Sequence, residues 1–110
     1  MHKGKKRILF LSSFGDFRGG GQHSLFLLLK GIDKHRYKPF VMCPSGGDFV
    51  DSLRSIGIMT FVFEFPSLRH FKLKKCIRAV KKLKYIIQMV MPHIVHTESS
   101  RSILYLKYVL

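Results

Sequence analysis

Carboxylates are scarce in this chain. Six Asp and Glu stand against twenty Lys and Arg in 110 residues, a net charge of +14. From Arg69 to Lys84 there is none at all. Cysteine is almost as sparse. Cys43 and Cys76 sit in dissimilar surroundings, with neither a C-x-x-C pair nor a Cys/His zinc spacing. They read as inert thiols of a reducing cytosol, and the spacing of His23, Cys43 and His96 gives no metal site. Long apolar runs are missing too. None approaches the ~20 residues of a membrane span, and the run after the basic Met1–Lys6 is only about five residues, too short for a secretory signal. The chain is therefore read as cytoplasmic, with at most peripheral membrane contact. It has no repeats and no low-complexity linker. It also lacks G-x-G-x-x-G and G-K-[ST], and its second strand-like run ends in Met42-Cys43 without an acid for a ribose. These absences argue against nicotinamide chemistry and NTP hydrolysis.

What is present is concentrated in Arg7–Ile32. Ile8-Leu9-Phe10-Leu11 is a continuous apolar run, as in a parallel strand buried on both faces. Leu25, Leu28, Leu29 and Ile32 recur at i, i+3, i+4, i+7, one face of a helix. Between them, Gly19, Gly20 and Gly21 let the backbone approach a bound group without a Cβ in the way. They also present N–H groups at a helix N-terminus, where anions are stabilised.

The remaining pattern alternates. Strands are predicted at Arg7–Ser12, Lys38–Cys43, Thr60–Phe63 and Ile94–Thr97. Helices are predicted at Gly21–Ile32, Asp48–Ile56, Leu73–Met91 and Ser100–Val109, with Phe65–His70 as an irregular connection. Asp48 is the expected N-cap of the second helix, Gly57 its terminator, and Pro92 closes the third. The β-α order predicts an α/β, Rossmann-like three-layer sandwich with a parallel sheet of order 3-2-1-4. In that order strands one and four adjoin at the switch point, where such folds bind ligands. The loops Ser13–Gly21 and His96–Arg101 are then expected to face one another.

Four segments carry a resemblance. Gly19-Gly20-Gly21-Gln22, Phe40-Val-Met-Cys-Pro-Ser-Gly-Gly47, Asp51-Ser-Leu-Arg-Ser-Ile-Gly-Ile58 and Pro92-His-Ile-Val-His-Thr-Glu-Ser-Ser100 occur in order. Together they resemble the N-terminal, acceptor-side domain of family 4 (group 1) GT-B glycosyltransferases. The resemblance implies transfer of a sugar from a nucleotide-diphospho-sugar to an acceptor, with retention and without a metal or other cofactor. It implies ligand contacts at Gly19, Gly20, Gly21 and Gln22, with His96 and Glu98 opposite as candidate catalytic residues. His96 matches the first histidine of the family's fourth-strand motif, or is a hydrogen-bonded structural histidine. Glu98 stands where many members carry a second histidine; it either accepts hydrogen bonds from substrate and serves as a base, or marks a site that has lost its chemistry. His93 replaces the family's usual aspartate, a change read as structural. Arg18 is either a bidentate phosphate partner or a solvated side chain. Of Ser99 and Ser100, one is expected to cap a helix and the other to touch ligand.

A GT-B enzyme has two Rossmann-like domains, and 110 residues hold less than the first. Residues 1–110 therefore read as one truncated domain without the donor-binding half, and as inactive alone. Two other classes remain. One is a non-catalytic binding or regulatory module. The other is a peripheral protein working through the basic segment, which carries Lys72, Lys74, Lys75, Arg78, Lys81 and Lys82. Leu73, Ile77, Val80, Ile87 and Met91 are read as that segment's buried stripe, leaving most bases on the opposite face. These bases are either simply solvated or bind anionic lipid, at about 1 kcal/mol each. Lipid-linked acceptors are common in the resembled family, which favours lipid. No nucleic-acid motif accompanies the charge.

Overall fold

A computed structural model describes residues 5–12, 14–63 and 73–97, with side chains of the last helix from Ile77 onward. Seven elements follow one another: β1 (Lys6–Leu11), α1 (Gly20–Gly31), β2 (Tyr37–Cys43), α2 (Asp48–Ser55), β3 (Met59–Val62), α3 (Leu73–Val90) and β4 (Ile94–Thr97). All strand pairs are parallel and the sheet order is β3-β2-β1-β4. This is the expected Rossmann-like α/β arrangement, and each element end falls within one residue of its expected position. The predicted Ser100–Val109 helix and the Phe65–His70 connection lie outside the described residues.

The reason for the unbroken apolar β1 is visible in the packing. Leu9 and Leu11, with Phe40 and Met42 of β2, face Ala79, Leu83, Ile86 and Val90 of α3. Phe10, with Val41 and Cys43, faces Leu25, Leu29, Phe49, Val50 and Leu53 of α1 and α2. Alternate side chains point to opposite faces, so a strand covered on both sides must be apolar at every position. Right-handed crossovers dictate which helix covers which face. The chain steps β1-β2-β3 in one direction and returns over the sheet to β4, which puts α3 opposite α1 and α2.

Two readings need correction here. The buried stripe of α3 is Ala79, Leu83, Ile86 and Val90, while Ile77 and Met91 are exposed. Apolar residues occur on nearly every side of this helix, so periodicity alone misjudged its phase. Val80 and Ile87 do pack at the edge of the cluster. The N-cap of α2 is Gly47, not Asp48. Asp48 opens the helix, and its Oδ1 accepts the Phe17 N–H at 2.8 Å, a partner from another loop.

The helix ends behave as their chemistry requires. After α2, the Gly57 N–H donates to the Arg54 carbonyl at 3.1 Å and the Ile58 N–H to the Leu53 carbonyl at 3.0 Å. Gly57 holds φ at +82°, which is the Schellman C-cap with glycine in the left-handed position. A Cβ there meets nothing within 4 Å. Gly57→Ala is therefore expected to cost only the backbone term, about 1 kcal/mol, read as a lower urea midpoint with unchanged slope.

At the end of α3, Met91 takes φ of +51°, and its carbonyl accepts the Arg7 Nε–H at 2.8 Å. The His93 N–H donates to the Arg7 carbonyl at 2.8 Å, and the Arg7 N–H donates to His93 Nδ1 at 3.0 Å. These bonds extend the β1–β4 alignment one residue ahead of β4.

Candidate functional site

The loop between β1 and α1 is fastened before it reaches the glycines. Ser12 Oγ donates to the Phe14 carbonyl at 2.9 Å. The Val50 N–H donates to the Gly15 carbonyl at 3.1 Å, tying the loop to the first turn of α2. Gly15 and Gly47 meet backbone to backbone: a Cβ on Gly47 would stand 2.6 Å from the Gly15 oxygen. Phe17 then plugs the gap, edge-on to Phe49 at 5.3 Å and stacked on His23 at 4.6 Å. The close pairing of two glycines 32 positions apart has no local signature in the sequence, because it exists only once the two loops are brought together.

At the head of α1, Gly19 is the N-cap and no side chain caps the first turn. The Gly19 N–H itself donates to Gln22 Oε1 at 3.2 Å. Gln22 is 3% exposed, so its carboxamide oxygen serves the helix start. No acid sits in the first turn, leaving the positive end of the helix available to an anion. A Cβ on Gly20 meets no protein atom within 4 Å, and one on Gly19 only Gln22 Oε1 at 4.0 Å. The fold itself does not require glycine at either position. Arg18 pairs with Asp16 through Nε–Oδ1 at 3.2 Å and a second contact at 3.3 Å, and its guanidinium lies 4.3 Å from the Phe14 ring centroid. Both side chains of this ion pair are exposed. Such a pair is worth under about 1 kcal/mol, little to give up for a phosphate.

A cleft of about 420 Å³ opens beside this turn, lined by Gly21, Ser24, Leu25, Leu28 and His96. Its place follows from topology. β1 and β4 are neighbours, Phe10 aligns with His96, and the cleft lies at their carboxyl ends, at the switch point. The His96 ring packs edge-on to Phe10 at 5.6 Å while remaining exposed. Gly21 and His96 thus share one cleft, with Gly19 and Gly20 in the turn leading to it. Gln22 and Arg18 do not line it. Glu98, Ser99 and Ser100 lie outside the described residues, as does Lys72.

Ser24, Leu25 and Leu28 complete the lining, and the signal for them was already in the helix. Gly21, Ser24, Leu25 and Leu28 stand at i, i+3, i+4, i+7, one stripe of α1. Leu28, one of the four apolar residues of the predicted helix face, is exposed at the border of that stripe. The wall is mostly apolar, with a hydroxyl and an imidazole at its edge, which suits a ligand with an apolar face and polar rim. Among the described residues no three His, Cys, Asp or Glu side chains gather to hold a metal ion. Among them, too, no helix is long and apolar enough to cross a membrane. No family model, curated protein or solved structure matches this chain.

Proposed function

We propose that this chain is the acceptor-side domain of a GT-B-type glycosyltransferase, and that the cleft between α1 and β4 holds the reacting sugar or its acceptor. One observation carries the reading. Gly21 and His96 come from motifs at opposite ends of the described chain and line a single cleft. Glycines that the fold does not require, at Gly19 and Gly20, stand at its mouth. In this reading the first-turn N–H groups of α1 neutralise the donor diphosphate, and His96 hydrogen-bonds sugar hydroxyls. Leu25 and Leu28 carry the apolar part of an acceptor. Glu98, two residues after His96, supplies a carboxylate toward the acceptor hydroxyl. The donor-side groups that the resemblance implies have no match in these 110 residues, so the chain alone is expected to bind without turnover.

A second reading is a binding module without catalysis. It is favoured by Gln22, whose carboxamide oxygen is already engaged by the Gly19 N–H. A ¹⁵N–¹H titration of the chain with uridine and guanosine diphospho-sugars, and with simple glycosides, tests both. The expected result is millimolar binding, with shifts confined to Gly20, Gly21, Ser24, Leu28 and His96. Silence at these amides, or shifts elsewhere, overturns the cleft as the site. Sugar transfer by a polypeptide joining this chain to a donor-binding domain selects the first reading; binding there without transfer selects the second.

A further inference from the structure

We propose that the solvent face of α3 is a docking surface for an anionic lipid bilayer. The proposal is independent of the cleft. Its starting point is the corrected phase of the helix. With Ala79, Leu83, Ile86 and Val90 turned to the sheet, the outward arc carries Arg78, Lys81, Lys82 and Lys84, all exposed. The same arc carries Ile77, Tyr85 and Met89, which are 46%, 63% and 51% exposed. Cations and large apolar side chains are therefore interleaved on one face. At 100° per residue, Ile77 falls between Lys84 and Lys81, Tyr85 between Lys81 and Arg78, and Met89 between Arg78 and Lys82.

Neither half of this surface is comfortable in water. Arg78–Lys81, Lys81–Lys84 and Arg78–Lys82 are like charges at i, i+3 and i, i+4, which repel. None of the four cations forms an ion pair with a described residue; among the described residues the one such pair is Arg18–Asp16. Lys38 adds another positive charge on this side of the sheet, its Nζ 5.7 Å from the ring of Phe40 in the α3 cluster. A layer of anionic head groups over acyl chains relieves both problems at once. The long basic side chains reach the phosphates while Ile77, Tyr85 and Met89 enter the interfacial zone, where tyrosine is favoured. A nucleic-acid backbone satisfies only the cations and leaves Ile77 and Met89 against phosphate. Because the opposite face of α3 stays packed on the sheet, docking requires no unfolding.

The test is co-sedimentation of the whole chain with phosphatidylcholine vesicles, with and without phosphatidylglycerol, over a salt series. Binding is expected only to the anionic vesicles and to fall as salt rises. At about fivefold per base near such a surface, Lys81→Gln/Lys82→Gln should weaken it about 25-fold, and Lys81→Glu/Lys82→Glu further. Tyr85→Ser/Met89→Ser, which leaves the charge unchanged, should also weaken it. The chain has no tryptophan, so Tyr85→Trp gives a single reporter whose emission should shift to the blue on anionic vesicles. All these positions are exposed, and circular dichroism checks that each variant is folded. Equal binding to neutral vesicles, full affinity in the Lys81/Lys82 variants, an unshifted emission from the Tyr85→Trp variant, or release from vesicles by duplex or single-stranded nucleic acid overturns the proposal.

Discussion

Gly15→Ala is expected to lower the unfolding free energy by about 3 kcal/mol, the upper end of ordinary overpacking costs. For a domain of this size that corresponds to a melting temperature lower by about 15 °C. A Cβ on Gly15 would overlap the Ser45 carbonyl oxygen and come within 3.0 Å of the Gly46 oxygen. Neither obstacle is the free end of a side chain, so relief requires the β2–α2 turn to move. That movement strains the Val50–Gly15 bond and the Phe17–Asp48 bond, which hold the loop against α2. Gly20→Ala is the control. With open space around the new methyl and a helical backbone, it should leave stability unchanged or raise it by about 0.5 kcal/mol. Thermal melts of the two variants decide the matter. If Gly15→Ala melts within a few degrees of the parent, the two loops are not in contact as described.

Phe49→Ala is expected to cost about 4 kcal/mol, within the range for emptying a buried phenylalanine site. Phe49 is fully buried among Leu25, Leu29, Val50 and Leu53. Against a total stability of about 5–15 kcal/mol, this places the variant near its folding limit. Phe49 also supports Phe17, which in turn stacks on His23 at the first turn of α1. The loss should therefore spread to the loop beside the cleft. Hydrogen exchange at the Phe17 and Arg18 amides is expected to accelerate more than at β4, which lies at the edge of the sheet opposite β3, the strand that α2 contacts. Phe49→Leu, which refills most of the space, should recover more than half of the stability. Unaltered loop protection in a folded Phe49→Ala protein would separate the loop from the core and sink this link.

The fold was legible because its signals are local. Ile8–Leu11 had to be buried on both sides, and Gly57 had to end a helix; the strand order is the usual doubly wound one for a β-α alternation. The errors arise where the deciding contact is distant. Asp48 has every local reason to cap α2, yet its carboxylate is taken by an amide 31 residues away. On α3, Leu73, Ile77, Val80, Ile87 and Met91 make as good a stripe on paper as the buried one. Only the shape of the opposing sheet selects Ala79, Leu83, Ile86 and Val90. The candidate site was half legible. Gly21 and His96 were brought toward one another by topology alone. That Gln22 turns back to the Gly19 N–H is the local spacing of a capping box, whereas which edge of the Gly21, Ser24, Leu25 and Leu28 stripe opens onto the cleft depends on how α1 sits over the sheet. Gly15 and Gly47, which the fold does require, looked like ordinary turn residues beside the three successive glycines.

The return of the chain over the sheet has a consequence for synthesis. As the ribosome releases the polypeptide from its N-terminus, β1, α1, β2, α2 and β3 emerge first, and the first two helices can cover Phe10, Val41 and Cys43 at once. Leu9, Leu11, Phe40 and Met42 have no cover until α3 emerges, and β1 keeps an unpaired edge until β4 arrives, 86 positions separating Arg7 from His93. For that interval the nascent chain displays a bare apolar plane bordered by a free strand edge, the combination most prone to wrong association. Slowing translation before residue 73 would lengthen the exposure, and hastening delivery of α3 would shorten it. Yield in the cell is thus set by the timing of the third helix as well as by the stability of the finished domain.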